Sequence, residues 1–507
     1  MAAAGRARGL TGRRRRAFVP AMPDFRAPAH VIGLLVAALG LAMLAPMLAD
    51  LWAGDGNWLA FAGAAFVTVF VGGATAFASR GSTRDGFTIQ QTFLLTVFVW
   101  VALPIFGALP FVLGAPNARY VDAFFEAMSG LTTTGSTVFS GLERMPRGVL
   151  LWRGLMQWFG GVGIVVVAMA FLPALKVGGM QIFRSEGFDT FGKILPRAGE
   201  IAISISWIYV GLTMACIVAY SAAGMGQFDA TVHAMTTVAT GGFANHDASI
   251  GFFGPAVEYA AVAFMLMASL PFVRFVQLAQ GRAGPLIKDP QVRAFLAVVV
   301  VFALTITAAR LALAPAEGLI GFEARFRKAL FNSVSVITGT GYASADYNAW
   351  GPFAIGAFFL AGLVGGCAGS TSCSIKIFRY QIVFAAIAVQ IRRIHSPHGV
   401  FTPRWAGRPV PEEVVSSVMA FFYLFLLTLA LAATTLSLMG YDALTAVSGA
   451  ATALANVGPG LGPIIGPASN FASLSDGAKW LLALVMLVGR LELMAVYVLL
   501  TGAFWRG

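Results

Sequence analysis

The chain has 507 residues, of which 58% are hydrophobic and only 11% are charged. Soluble domains average about 45–50% apolar and about 25% charged residues, so this composition excludes an ordinary soluble protein. The formal net charge is +12. Its basic residues occupy alternate loops between apolar runs, which is typical of the cytoplasmic face of a membrane protein and not of a nucleic-acid-binding surface.

Ten apolar runs are each long enough to cross a hydrocarbon core of about 30 Å. They predict an all-α polytopic membrane protein with spans near residues 30–52, 57–79, 88–114, 148–175, 200–226, 255–281, 290–315, 351–390, 411–439 and 477–504. Six arginines lie within the first 16 residues. The positive-inside rule therefore places the N-terminus in the cytoplasm, and an even number of crossings returns the C-terminus to the same side of the cytoplasmic membrane.

The later basic clusters follow the same alternation. They comprise Arg80 and Arg84, then Lys176, Arg184, Lys193 and Arg197, then Arg282, Lys288 and Arg293, and finally the basic residues from Lys376 to Arg408. The loops between them, such as 48–57 and 241–253, contain no Lys or Arg. Most of the positive charge therefore indicates topology.

After the first two spans, one unit repeats four times: a span, a short half-polar segment, a glycine-containing turn and another span. The half-polar segments are 121–136, 228–243, 326–342 and 441–460. Each has about 12 residues before its glycine, which predicts a helix of about 18 Å that enters the membrane without crossing it. Gly135, Gly241, Gly341 and Gly458 are separated by 106, 100 and 117 residues. We expect pseudo-fourfold symmetry around one pore, with Asp122, Asp229 and Asp442 as helix N-caps.

The four turns have a composition that suits an ion pathway. Non-helical backbone persists at membrane depth only where it is buried in protein or lines a water-filled path. Glycine allows conformations that direct successive carbonyl groups toward one axis, and carbonyl oxygens can replace the water shell of a cation. The pattern therefore predicts a four-part cation filter. The alternative is a set of ordinary re-entrant or extracellular loops with turn glycines.

Five sequence motifs resemble the Trk/Ktr/HKT superfamily of cation transporters, and most closely its Trk-type potassium uptake membrane subunits. The motifs are FFEAMSGLTTTGST (124–137), TGGFANHDASIG (240–251), GGCAGST (365–371), ANVGPGLGP (455–463) and GRLELM (489–494). The resemblance covers nearly the whole chain. It implies a gated, channel-like potassium pore made by a single chain, usually a homodimer. It also implies a cytosolic TrkA-type partner with nucleotide-binding domains, so that nucleotide acts only through that partner and the chain has no covalent cofactor.

The resemblance also divides the chain and assigns the potassium-binding filter. The expected segments are 1–29 (Arg-rich N-terminus), 30–87 (two extra helices), 88–199, 200–289, 290–410 and 411–507 (four pore repeats, the third with a gating loop). The implied filter carbonyls belong to Thr133, Thr134 and Gly135; Ala239, Thr240 and Gly241; Gly339, Thr340 and Gly341; and Asn456, Val457 and Gly458. Serine at the first filter glycine tends to accompany sodium transport in this superfamily. Gly135 therefore favours potassium, with sodium as the main competitor.

The gate is expected where the long run 351–390 is interrupted. By resemblance its residues are Gly365, Gly366, Cys367, Ala368, Gly369, Ser370, Thr371, Lys376 and Arg490. A cation near mid-membrane costs at least about 2.5–3.5 kcal/mol on insertion scales, so Arg490 is interpreted as functional and inward-facing. The resemblance implies that it lies below the filter, where its charge would oppose cation passage until the gate opens. The alternatives are a packing kink for the loop and a structural salt bridge for Arg490.

Other residues indicate less. Cys216, Cys367 and Cys373 suggest no disulfide framework, His233 is expected to be a packed, hydrogen-bonded histidine, and Arg325, Arg327 and Lys328 are expected on a solvated face. No catalytic constellation or Walker-type motif occurs, so we expect no enzyme activity. The competing function is a sodium-permeable or proton-coupled symporter, for which Glu258 and Glu492 would be the main carboxylates.

Overall fold

The computed structural model describes residues 25–81, 87–170, 178–180, 198–313 and 318–506. The predicted Arg-rich N-terminus and the basic residues Arg84, Lys176, Arg184, Lys193 and Arg197 lie outside these residues. Within them the fold is helical, with one small hairpin in which Arg404–Trp405 pairs antiparallel with Arg408–Pro409. Short 3-10 turns cover Leu142–Arg144, Ser249–Phe252 and Tyr347–Trp350.

The helices of the first half are α1 Arg26–Ala42, α2 Leu44–Ala53, α3 Trp58–Ala78, α4 Ile89–Gly107, α5 Leu109–Leu113, α6 Tyr120–Leu131, α7 Arg147–Ala170, α8 Ala198–Ala222, α9 Gln227–Val238, α10 Pro255–Ala268 and α11 Phe272–Ala279. Those of the second half are α12 Gly284–Ile287, α13 Pro290–Leu313, α14 Gly318–Thr338, α15 Pro352–Gly362, α16 Ile377–His395, α17 Glu412–Leu438, α18 Ala443–Ala455, α19 Gly462–Ile465, α20 Asp476–Arg490, α21 Met494–Leu499 and α22 Gly502–Trp505.

Within the described part of the chain, seven spans are long and apolar enough to cross a membrane, or eight if α10 and α11 form one span bent by 94°. Of the other predicted crossings, 351–390 is divided into α15 and α16, and 477–504 into α20, α21 and α22. The protein is therefore a multi-pass membrane protein, and the count of ten spans stays a prediction. The apolar stretch of α7 is 61% buried, whereas those of α8 and α13 are 22% buried, so α7 is central and the other two are peripheral.

The two N-terminal spans pack closely because small residues face each other. A β-carbon on Gly72 would lie 2.5 Å from the backbone nitrogen of Ala37, and one on Gly33 would lie 2.7 Å from the carbonyl oxygen of Gly72. Small residues allow this close approach of two backbones, which is how helices associate where lipid supplies no hydrophobic driving force.

We predict that Gly72→Leu lowers the thermal unfolding midpoint of the detergent-solubilised protein by several degrees. Overpacking a close contact costs about 1–3 kcal/mol. The matched control is Gly73→Leu, because a β-carbon on Gly73 meets nothing within 4 Å. Equal midpoints for the two variants, measured by the loss of monodisperse protein on heating, would contradict the packing described for Gly72.

The four half-polar segments contain the helices that lead into the turns. α6 and α9 have 12 residues and α18 has 13, as the sequence predicts. The prediction is wrong for the third segment, because α14 continues upstream and has 21 residues. The capping prediction holds only for Asp442, whose carboxylate accepts from the Thr445 N–H at 3.1 Å. Asp122 and Asp229 instead lie in the first turns of α6 and α9.

Candidate ion pathway

Each short helix ends in a turn with the same backbone shape. We name these segments turn 1 (132–136), turn 2 (239–243), turn 3 (338–342) and turn 4 (455–459). In each, one residue with positive φ is followed two residues later by a glycine with positive φ: Thr133 and Gly135, Thr240 and Gly242, Gly339 and Gly341, Asn456 and Gly458. The residue between them donates its N–H to the helix carbonyl five residues earlier, at 2.8–3.0 Å in all four turns.

This shared geometry shifts the predicted register of turn 2 by one residue. The sequence pattern predicts that Gly241 is equivalent to Gly135, but it is Gly242 whose φ of +79° corresponds to the +85° of Gly135. Ala239 occupies the position of Thr132 at the end of the helix, and its N–H bonds to Met235 as the N–H of Thr132 bonds to Met128. In turns 1, 3 and 4 the predicted residues share one register.

The glycines of the four turns contact the neighbouring turns in a closed order. A β-carbon on Gly135 would overlap the carbonyl oxygen of Gly241, one on Gly242 that of Thr340, and one on Gly341 that of Val457. A β-carbon on Gly458 would lie 2.8 Å from the carbonyl oxygen of Thr134 in turn 1. Only glycine fits such close approach at positive φ. The four turns therefore surround one centre.

A cavity of about 320 Å³ lies on one face of this centre. Gly135, Gly242, Gly341 and Gly458 all line it. Its rim includes Asp247, and Arg153 lies at its wall. We call it the outer cavity. Among the described residues, no group of three or more His, Cys, Asp or Glu side chains could hold a metal ion.

The opposite face is covered by the predicted gate segment, which is non-helical from 363 to 376. Residues 365–373 of this loop are buried. The Thr371 hydroxyl donates to the carbonyl oxygen of Val238 at 3.0 Å. The Ser372 hydroxyl donates to that of Thr338 at 2.6 Å. Since Val238 and Thr338 end the helices before turns 2 and 3, the loop is held directly against the turns.

The loop also fills the bend between α10 and α11. The Cys367 N–H donates to the Ser269 carbonyl at 3.0 Å, and the Phe272 N–H donates to the Gly369 carbonyl at 2.9 Å. The Ala368 N–H donates to Oε1 of Gln291 at 2.9 Å. Backbone groups freed by the two helix breaks therefore satisfy one another, which non-helical structure inside a membrane requires.

Arg490 lies on the same face, at the end of α20, and is 3% exposed. Its guanidinium donates to Cys373 Sγ of the loop and to the carbonyl oxygen of Gly160, the latter at 3.2 Å. Cys373 Sγ in turn lies 3.7 Å from the Thr133 hydroxyl of turn 1. No salt bridge of Arg490 occurs among the described residues, where its partners are the loop thiol and a backbone carbonyl group.

Lys376 has a different position from the rest of the predicted gate. Its ammonium binds Glu492 Oε1 at 2.7 Å, and the guanidinium of Arg379 binds the other oxygen of the same carboxylate. All three side chains are buried. Glu492 and Leu493 have positive φ, at the break between α20 and α21. This buried triad joins the end of the gate loop to the last broken span.

Gln157, on α7, supports turn 2. Its amide nitrogen donates to the Gly241 carbonyl at 2.6 Å, and its oxygen accepts from the Phe243 N–H at 3.0 Å. We predict that Gln157→Leu lowers the unfolding midpoint by several degrees, because a buried polar group left without its partner costs about 1–3 kcal/mol. Gln227→Leu, at an exposed position, is the matched control. If the two variants unfold at the same temperature, Gln157 does not support the turn.

The sequence does not predict two buried ion pairs. Glu126 and Arg153 form an ion pair at 2.8 Å with both side chains at most 2% exposed, although 27 residues separate them. Glu258 binds Arg327 at 2.7 Å. Arg327 is 8% exposed, so its expected solvated position is wrong. The prediction for His233 is confirmed: it is buried, and its Nδ1 lies 2.8 Å from the Asp229 carbonyl oxygen. The three cysteines are free and buried.

The apolar helices, together with four turns of one backbone shape that meet at one centre, define a multi-pass helical membrane protein. Comparison with known proteins assigns its family. A sequence model of the TrkH family, described as a cation transport protein, matches residues 59–506. The chain therefore belongs to the TrkH family of cation transport proteins, which is not an enzyme family.

Known relatives and a solved structure are similar to this chain over nearly its whole length. The chain is 44% identical over 478 residues to the Trk system potassium uptake protein TrkI of Halomonas elongata, covering 94% of this chain and 96% of that protein. It is 38% identical over 495 residues to the Trk system potassium uptake protein TrkH of Vibrio parahaemolyticus, covering 95% and 100%. The crystal structure of the potassium transporter TrkH from Vibrio parahaemolyticus matches with a TM-score of 0.87 at 36% identity, covering 95% of this chain and 100% of that one.

Proposed function

We propose that the protein takes up potassium ions across the cytoplasmic membrane through a channel-like pore with a four-part filter. The observation that carries this proposal is the closed order in which the glycines of turns 1 to 4 contact neighbouring carbonyl groups. The four span–short helix–span units are then repeats around one pseudo-fourfold axis. The names of the relatives, potassium uptake proteins of Trk systems, support potassium as the ion.

In this proposal, backbone carbonyl oxygens of the turns replace the water shell of the ion. In the register of the structure they belong to Thr133, Thr134 and Gly135; Thr240, Gly241 and Gly242; Gly339, Thr340 and Gly341; and Asn456, Val457 and Gly458. Each short helix also directs the negative end of its dipole toward the ion. Glycine at all four equivalent positions supports selection of potassium over sodium.

The loop 363–376 and Arg490 form the gate of the proposed pore. The loop covers the turns opposite the outer cavity, and the Arg490 guanidinium holds it through Cys373. Opening requires the loop to leave the hydroxyl contacts of Thr371 and Ser372 with the short helices. The membrane potential drives entry at about 2.3 kcal/mol per charge per 100 mV.

The assembly and orientation of the protein belong to the same proposal. Both termini lie in the cytoplasm, two copies form a homodimer, and a cytosolic TrkA-type subunit with nucleotide-binding domains regulates the gate. The names of the relatives, which are proteins of a Trk system, support further subunits. The basic residues Arg282 and Lys288, between α11 and α13, and Arg293, in the first turn of α13, support this orientation by the positive-inside rule.

The second candidate is a symporter that couples the cation to protons. It needs an intramembrane carboxylate free to exchange a proton. Glu492 binds Lys376 and Arg379, and Glu258 binds Arg327. Because each of these carboxylates is held by cationic partners, the geometry favours the channel-like reading.

The test of the proposed function is growth of a bacterium that lacks its own potassium uptake systems. We expect the protein to restore growth at low external potassium, and the same strain without it to fail. A strain whose membranes contain the folded protein and which still requires high potassium would contradict the proposal.

A further inference from the structure

The same kind of hydrogen bond holds the chain just after each of the four turns. A buried side chain of the short helix accepts from the backbone N–H three residues after the turn glycine. The four pairs are Glu126 with Val138 at 2.9 Å, His233 with Asn245 at 3.4 Å, Asn332 with Ser344 at 3.2 Å, and Ser448 with Leu461 at 2.9 Å. The spacing within a pair is 12 residues in the first three units and 13 in the fourth.

The four acceptors are chemically different but occupy corresponding places. Glu126, His233 and Asn332 lie nine residues before their turn glycine. In the fourth unit the ninth position is Gly449, and Ser448 beside it supplies the acceptor instead. All four side chains are at most 3% exposed. A carboxylate, an imidazole, an amide and a hydroxyl have only hydrogen-bond acceptance in common, so the recurring requirement is for an acceptor at this place.

We propose that Glu126, His233, Asn332 and Ser448 are positioning residues that set the ion selectivity of the pore. We call their hydrogen bonds the four struts. Each strut fixes the chain segment that leaves the turn by holding one backbone N–H group. Only three residues, about 10 Å of extended chain, separate this N–H group from the turn glycine. The carbonyl groups between the helix end and this N–H group therefore keep a fixed separation across the axis. This inference rests on the proposed function, because it assigns the origin of selectivity in the same pore.

The first strut extends to the neighbouring unit. Glu126 also accepts from the Thr137 hydroxyl and from Arg153 Nε at 2.8 Å. The same arginine donates through Nη1 to the Ala244 carbonyl at 2.7 Å, two residues after the glycine of turn 2. It also stacks on Phe243, with 4.2 Å between the guanidinium carbon and the ring centroid. The Glu126–Arg153 pair therefore fixes the distance between the chain segments that follow turns 1 and 2.

Ser448 offers the cleanest test because one oxygen atom can be removed there. In Ser448→Ala the Leu461 N–H loses its acceptor in a buried place. We expect the ratio of potassium to sodium flux into vesicles to fall about tenfold, a change of about 1.4 kcal/mol at 25 °C. Ser448→Thr keeps the hydroxyl, and Ser448 lines a cavity of about 30 Å³. The Ser448→Thr variant should retain the native ratio of potassium to sodium flux.

Ser206→Ala is the matched control, because the Ser206 hydroxyl donates to the Ala202 carbonyl of its own helix and, among the described residues, to no other group. Hydrogen exchange of a peptide covering 458–462 gives a second readout that does not depend on ion selection. Faster exchange in Ser448→Ala alone, with a lowered flux ratio, supports the struts. Unchanged exchange overturns them, and so does a native flux ratio in folded Ser448→Ala.

The two proposals fail in different ways. If the unmodified protein does not prefer potassium to sodium, the proposed function fails, and with it the assignment of selectivity to the struts. Exchange at 458–462 would then still decide whether Ser448 holds the strand after turn 4. If the unmodified protein is selective and Ser448→Ala is equally selective, only the further inference fails.

Discussion

Replacing Gly135 by serine is expected to reduce the preference for potassium over sodium by at least about tenfold, which corresponds to about 1.4 kcal/mol. Two causes act together. Gly135 has φ +85°, where an L-residue is strained by about 1–2 kcal/mol. A β-carbon would also overlap the Gly241 carbonyl oxygen. Turn 2 must then move away from turn 1, and the carbonyl groups no longer match the size of a potassium ion.

Gly54→Ser separates these two causes. Gly54 has φ +77°, close to that of Gly135, but a β-carbon on it meets nothing within 4 Å. The control variant should therefore share the backbone strain and keep native selectivity. The measurement is rubidium and sodium flux into vesicles containing each variant. Native selectivity in folded Gly135→Ser would show that the close contact between turns 1 and 2 does not select the ion.

Replacing Arg490 by glutamine is expected to raise potassium flux by at least about tenfold. A fixed positive charge about 6 Å from a passing cation opposes it by roughly 3 kcal/mol at an effective dielectric constant of 20. The Arg490 guanidinium is also the donor that holds Cys373 of the gate loop. Glutamine removes the charge and shortens the side chain, so both the electrostatic barrier and this contact are lost.

Arg490→Lys keeps the positive charge and serves as the control. We expect its flux to stay near that of the native protein, well below that of Arg490→Gln. Initial rates of rubidium uptake at a fixed membrane potential give the comparison. Equal or lower flux in Arg490→Gln, in protein that remains folded, would remove Arg490 from the proposed gate.

The sequence predicts local features of this fold better than it predicts tertiary contacts. The short helices and their turns are marked by glycine and by a change from apolar to half-polar composition. Turn 2 was misaligned because Gly241 and Gly242 are adjacent, and composition alone does not say which of them takes positive φ. The third short helix was predicted too short because no glycine or proline breaks the chain between Gly321 and Thr338.

Contacts between distant residues were beyond sequence reasoning. The pairing of Glu126 with Arg153 depends on how α6 packs against α7, and no spacing rule connects them. The sequence predicts a solvated position for Arg327 because its partner, Glu258, lies 69 residues earlier on another helix and no sequence spacing connects the two. The hydroxyl contacts of Thr371 and Ser372 depend on the position of the loop under the turns. A sequence signal for the four struts does exist: a polar residue nine or ten places before each turn glycine.

The most direct test of the account is cation flux into vesicles that contain only this protein, with potassium, rubidium and sodium compared at a fixed membrane potential. We expect potassium and rubidium to enter at rates well above that of sodium, and we expect this flux to stay unchanged when the proton gradient is collapsed. Uptake that occurs only with a proton gradient, or that does not distinguish potassium from sodium, would contradict a selective, channel-like pore.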